Sequence, residues 1–268
     1  MIFNINSIGL LDSGVGGLTV VKEINKILPN ERMIYFGDTA KMPYGPREPK
    51  QVRGFAMDII NFLNTQDVKM MVVACNTATA VGLDYYQQKF DIPIIGVIAP
   101  GAQAAIKATV NRKIGVIGTE GTINSGSYEQ ALKDIDPDVE VFSKACPLFV
   151  LLVENNLMDT KEAKEVAQSY LQPLKNQGVD TLILGCTHYP IMEELIQEVM
   201  GPDVKLVNSA KATAQLTKDI LTQNKLLYDE RRRPVHRYFV SGATAGFERI
   251  ADNWLGDNTK AFRVDLEN

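Results

Sequence analysis

Two segments of the chain read alike, and each carries a thiol: Val72-Val73-Ala74-Cys75-Asn76-Thr77 and Ile183-Leu184-Gly185-Cys186-Thr187-His188. In both, an apolar run of strand length ends at the cysteine, and small or hydroxyl residues then open a helical pattern. A cysteine so placed stands at a helix N-terminus, where free N–H groups and the dipole favour thiolate over thiol. The ordinary thiol pKa is about 8.5, so a modest drop gives a base that works near neutral pH. A single buried cysteine is most simply a small hydrophobe. Two at matching strand ends point instead to paired chemistry. Cys146, in Ala145-Cys146-Pro147, has no such twin and reads as core or loop filling. A zinc site built from Cys75, Cys186 and His188 lacks the close-spaced ligand pair of structural sites, and no H-E-x-x-H occurs, so no metal is expected.

The remaining chemistry-bearing residues group around these thiols or around the first strand. Asp12-Ser13-Gly14-Val15-Gly16-Gly17-Leu18-Thr19 is a glycine-rich turn of the kind that aims backbone N–H groups at an anion, a small carboxylate or a phosphate. The dinucleotide fingerprint needs a third glycine where Thr19 stands, and no G-x-x-x-x-G-K-[ST] is present. Asp38 lies about where a ribose-binding acid would, a weak signal by itself. The chain has two histidines. His188, two residues after Cys186, can hold a thiolate as an ion pair or tune its basicity. His236 follows Arg231-Arg232-Arg233 and reads as part of a solvated basic turn.

The elements that must position these groups follow from hydrophobic patterning. Short β-branched runs alternate with helix-period segments, the pattern of parallel sheets with crossover helices. Strands are expected at 8–11, 33–36, 70–74, 94–98, 114–117, 139–142, 181–184, 205–207 and 238–240, with helices clearest at 161–177 and 210–223. The strands repeat. Ile8 to Ser13 faces Ile114 to Thr119 at an offset of 106, and Val68 to Cys75 faces Val179 to Cys186 at 111. Ordered matches of this kind indicate an internal duplication. Ligands in such sheets bind beyond the carboxyl ends of the strands. Two facing halves would therefore bring equivalent loops to opposite sides of one crevice, a geometry suited to chemistry on two faces of one atom.

Composition bounds the class. The 268 residues are 45% apolar and 22% charged, close to the soluble globular average. With 28 Lys and Arg against 32 Asp and Glu, the net charge of −4 gives no cationic field for general nucleic-acid binding. No apolar run approaches a membrane span. The first residues lack a basic n-region and a long apolar h-region, so no signal peptide is expected. Three cysteines do not make a disulfide framework, and a reducing cytoplasm is the expected compartment.

Taken in order, Asp12 to Leu18, Gly37-Asp38-Thr39-Ala40 with Pro43-Tyr44-Gly45, Ala74-Cys75-Asn76-Thr77-Ala78 and Gly185-Cys186-Thr187-His188-Tyr189-Pro190 resemble the glutamate racemases of the aspartate/glutamate racemase superfamily. The similarity runs from Ile8 to about Leu255. It implies a cofactor-independent racemase that supplies D-glutamate for peptidoglycan, as a cytoplasmic homodimer acting on glutamate. It also implies an α/β fold of two pseudo-symmetric domains with mostly parallel sheets, 1–98 plus 209–268 and 99–208, with the site in the cleft between them. By the same resemblance, Cys75 takes the α-proton from D-glutamate and Cys186 from L-glutamate. Asp12 and His188 assist the thiols, and Glu154 is an acid near the second. Ser13, Pro43, Tyr44, Gly45, Asn76, Thr77, Thr119 and Thr187 match positions that hold the substrate. Two departures stand out: Asn208-Ser209 where the family usually has Asp-Ser, and Asn155-Asn156 where many relatives have a glycine nearby.

The chemistry implied is demanding. An amino-acid α-hydrogen is a poor acid, and without pyridoxal phosphate there is no electron sink. The site must stabilise the developing carbanion through its carboxylate with N–H groups, hydroxyls and desolvation. Inversion needs removal from one face and delivery to the other, which a thiolate and a thiol can share and exchange. The rival readings are racemisation of aspartate or another amino acid on the same fold, a two-lobed amino-acid-binding module without chemistry, and a thiol hydrolase that would leave one cysteine idle.

Overall fold

A computed structural model describes residues 5–228, 234–256 and 258–266. The arginine run at 231–233 and the first four residues lie outside this set. The chain begins β1 (Ser7–Asp12), α1 (Leu18–Ile27), β2 (Met33–Gly37), α2 (Pro49–Asn64), β3 (Val68–Val73), α3 (Asn76–Gln87), β4 (Ile94–Gly96) and α4 (Ile98–Ala108). It continues with β5 (Lys113–Gly118), α5 (Glu120–Asn124), α6 (Ser127–Ile135), β6 (Glu140–Ala145), α7 (Leu148–Glu154), α8 (Lys161–Asn176) and β7 (Thr181–Gly185). A 3-10 turn (Tyr189–Met192) leads into α9 (Glu193–Met200), then β8 (Lys205–Asn208), α10 (Ser209–Gln223), β9 (Arg237–Val240), α11 (Thr244–Leu255) and β10 (Ala261–Arg263).

These strands form two sheets, in orders β10-β9-β2-β1-β3-β4 and β6-β5-β7-β8, and every pairing is parallel. The order β2-β1-β3-β4 in one is the order β6-β5-β7-β8 in the other, so the sequence offset reappears as topology. Parallel sheets covered by helices on both faces need apolar residues on both. In the central strand β1, Ile8 and Leu10 enter one core with α1 and α10, while Leu11 enters the opposite core with α2 and α3. The second sheet splits likewise: Ile117, Leu182 and Leu184 face one core, and Ile114, Val116 and Ile183 face the other. Trp254 of α11 packs against a core of each sheet. Among the described residues no helix is long and apolar enough to cross a membrane.

Five details depart from the sequence expectation or explain it. The fourth strand stops at Gly96, and Ile98 opens α4 rather than continuing the strand. The three-residue edge strand β10 is half exposed and has no apolar alternation to announce it. His236 is not a solvated turn residue, since its Nδ1 accepts the Met33 N–H at 3.2 Å where β2 begins. The two departures noted above are both structurally competent. Asn208 Oδ1 accepts the Ala210 N–H at 2.9 Å and caps α10, a task that needs only an acceptor oxygen. Asn156 follows α7 with φ of 55°, the left-handed conformation asparagine tolerates in place of glycine.

Candidate active site

In parallel sheets the carboxyl ends of all strands share one edge, and the loops leaving them converge. Here the convergence encloses a small cavity. Ser13, Pro43, Tyr44, Gly45, Cys75, Asn76 and Thr77 line it from the loops of the first sheet, and Thr119, Glu154, Cys186, Thr187 and His188 from those of the second. Met42 and Val150 complete the lining and were not singled out in the sequence. The cavity measures about 20 Å³, room for about one water and too little for an amino acid. Larger grooves of about 970 Å³ between α3 and α6 and about 810 Å³ along α9 carry neither thiol.

Cys75 stands at the N-cap of α3, with the Ala78 N–H and the Ser13 hydroxyl near enough to its sulfur to favour the thiolate. The expected lowering of its pKa is not found. Burial pushes the thiol up to about 12, Asp12 and Cys186 add to the rise, and those two groups offset only part of it. Burial thus favours the thiol form of Cys75. Cys186 differs in setting: a 3-10 turn, not an α-helix, follows it at Tyr189. Its polar neighbour is His188, whose Nδ1 lies 3.8 Å from the sulfur.

The opposite ring nitrogen, Nε2, lies 3.0 Å from Glu154 Oε1. Burial lowers the affinity of His188 for its proton, but hydrogen bonds to Cys186 and Glu154 outweigh it and carry the imidazole up to about 10. The balance of these interactions favours the protonated imidazole. Among the described residues no group of three His, Cys, Asp or Glu is arranged to hold a metal ion.

The glycine-rich turn serves its own aspartate. Gly14 N–H donates to Asp12 Oδ2 at 3.0 Å, Gly17 N–H bonds the same carboxylate, and the Thr187 hydroxyl donates to Oδ1 at 3.3 Å. Burial nevertheless raises the Asp12 carboxyl above its ordinary range. An external anion thus finds these two N–H groups already taken. Gly16 is required by close approach: a Cβ there would overlap Thr187 Oγ1 and come within 2.7 Å of His188 Nδ1.

Other contacts join the halves around the cavity. Thr119 caps α5 and meets Thr77 at 2.9 Å, hydroxyl to hydroxyl, with Thr122 completing a triangle. The Gly121 N–H donates to Gly45 C=O at 2.9 Å. Tyr44 turns its hydroxyl away to donate to Asp38 Oδ2 at 2.5 Å, so only its backbone and ring remain for the cavity. Asp38 Oδ1 accepts the Ser241 hydroxyl at 2.6 Å, which makes Asp38 a scaffold of this loop rather than a ribose ligand. Cys146 is fully buried in the core beneath α7, as filling.

Residues 8–217 match the Asp/Glu/Hydantoin racemase family. A glutamate racemase from Geobacter metallireducens is 49% identical over 262 residues, covering 97% of both chains. The crystal structure of a glutamate racemase isoform from Bacillus anthracis superposes with a TM-score of 0.95 at 47% identity, covering 97% of this chain and 98% of that one. A glutamate racemase from Francisella tularensis, solved in complex with D-glutamate, gives 0.92 at 36% identity, covering 98% and 99%. The chain belongs to the Asp/Glu/hydantoin racemase family of isomerases and, within it, to the glutamate racemases.

Proposed function

We propose that this protein interconverts L- and D-glutamate without a cofactor, using Cys186 and Cys75 as bases on opposite faces of the α-carbon. The observation that carries the reading is the meeting of both thiols in one cavity, each from the carboxyl end of an equivalent strand. Cys186 removes the α-proton of L-glutamate as thiolate, next to the His188 imidazolium. The resulting carbanion delocalises into its carboxylate, which Asn76, Thr77 and Thr119 can meet as hydrogen-bond donors. Cys75, held as a thiol by burial, returns a proton to the other face and is left as thiolate. The reverse direction exchanges the roles. A module without chemistry gives no use to the second thiol, and a hydrolase leaves it idle.

In this reading Asp12 supports Cys75 through the Ser13-Gly14 turn, and Glu154 supports Cys186 through His188. The unit comprises two domains, 1–98 with 209–268 and 99–208, a division supported by the membership of the two sheets. Its setting is a cytoplasmic homodimer supplying D-glutamate to peptidoglycan.

Turnover of L-glutamate in deuterated water tests the mechanism. Early D-glutamate should carry deuterium while recovered L-glutamate keeps its hydrogen. Cys75→Ser should lose racemisation in both directions yet still exchange the α-hydrogen of L-glutamate slowly, and Cys186→Ser should do so with D-glutamate. Near-native racemisation by either variant would show that a single base serves both faces.

A further inference from the structure

We propose that Tyr128 is a positioning residue that decides which end of the Asn76 amide the cavity offers to its ligand. Asn76 opens α3 beside Cys75, lines the cavity and is 3% exposed. Its Oδ1 accepts the Tyr128 hydroxyl at 2.7 Å, while its Nδ2 is buried without any hydrogen-bond partner. A buried amide donor left unpaired is costly, and an acceptor placed in the cavity removes that cost. The carboxylate of an amino acid is such an acceptor.

Tyr128 reaches Asn76 from α6, on the other half of the molecule, and is itself 2% exposed. Burial raises its phenol above the ordinary range, so it keeps the proton it donates. The Ser209 side chain lies beside the same phenol and offsets part of that rise. With Ser209 donating to the phenol oxygen, the phenol proton is directed to Asn76 Oδ1. The relay runs Ser209, Tyr128, Asn76, and its last member faces the ligand as a donor. Ser209 is the first residue of α10, held by the Asn208 cap, so the Asn208-Ser209 pair acquires a role at the site. Without the phenol, the amide is free to turn over and present Oδ1, whose negative end repels a carboxylate.

This assignment rests on the proposed binding of glutamate through a carboxylate in this cavity. The test is a double-mutant cycle on the full chain, read by calorimetric affinity for D-glutamate alongside KM and kcat. Tyr128→Phe should weaken affinity roughly tenfold, the range of one hydrogen bond turned against a charged group, with kcat falling less than affinity. Asn76→Ala should weaken binding at least as much. In the Asn76→Ala background, Tyr128→Phe should cost nothing further, an outcome that a purely structural tyrosine does not give. Ser209→Ala carries the same cycle with a smaller effect and serves where Tyr128→Phe fails to fold. Unchanged affinity in Tyr128→Phe, or a full additional loss on top of Asn76→Ala, overturns the assignment of Tyr128. Absence of glutamate binding by the wild-type protein overturns the reading of the cavity, and this assignment with it.

Discussion

Glu154 and Cys186 do not touch, yet they are joined through the two nitrogens of one ring: His188 stands 3.0 Å from Glu154 Oε1 and 3.8 Å from Cys186 Sγ. The carboxylate helps the imidazole hold its proton, and the same ring reaches the sulfur. Against its ordinary value of 6.5, the His188 pKa is raised to about 10. The interaction therefore adds stability in full below pH about 6.5 and loses it as pH rises through about 10. Proton NMR of the two imidazoles checks this directly. His188 should stay charged through neutral pH in the wild type, and Glu154→Gln should move its titration down. A His188 that titrates identically in both proteins would remove Glu154 from the relay.

Asp38 is the second point of control. Its two oxygens accept the Tyr44 and Ser241 hydroxyls, and Ser241 Oγ in turn accepts the Ala40 N–H at 2.9 Å. Asp38→Ala leaves two buried hydroxyls short of an acceptor, each costing about 1–3 kcal/mol. It also frees the Pro43-Tyr44-Gly45 loop that lines the cavity. Urea denaturation should give a loss of about 2–6 kcal/mol, and racemase activity should drop with it. Full activity together with that stability loss would confine Asp38 to the scaffold.

A third prediction lies far from the cavity. Lys69 Nζ and Glu31 Oε2 pair at 2.6 Å with side chains 1% and 2% exposed, and Lys69 also donates to Leu226 C=O. Removing one partner strands a buried charge, at a cost of about 3–5 kcal/mol, whereas replacing both with apolar groups of similar size is often close to neutral. Lys69→Met should therefore destabilise strongly, and the double variant Lys69→Met with Glu31→Leu should recover most of the loss. Equal denaturation midpoints for the single and double variants would mean that the pair is not the source of the effect.

Particular residues show where sequence reasoning reaches and where it stops. Cys75 and Cys186 were legible because a strand end, a thiol and a repeat offset coincide in the linear order. The sheets were legible for a similar reason, since apolar runs such as Met70 to Val73 are buried on both faces. The charge state of Cys75 was not legible: helix position argues for thiolate, but depth of burial, a three-dimensional quantity, decides for thiol. The glycine turn after β1 gave the correct geometry with the wrong client, because nothing in the sequence says that Asp12 folds back onto its own N–H groups. Tyr128 and Ser241 carry no local signal at all. Each acts on a residue 52 or more than 200 positions away.

The cavity is smaller than its proposed ligand. At about 20 Å³ it is too small for glutamate, so binding between the two thiols calls for the contacts that close it to open. One of them is a single backbone bond, Gly121 N–H to Gly45 C=O at 2.9 Å, which ties the start of α5 to the Pro43-Tyr44-Gly45 loop. The hydroxyls of Thr77 and Thr119 meet alongside it. If opening separates these elements, the Gly121 amide exchanges with solvent through a local event of lower free energy than global unfolding. Hydrogen exchange should then find Gly121 faster than amides of β1 and β3. If the site closes around a bound ligand, saturating D-glutamate should slow Gly121 while leaving those core amides unchanged. Gly121 exchanging only at the rate of the core strands, with no response to glutamate, would mean that the ligand enters by another route.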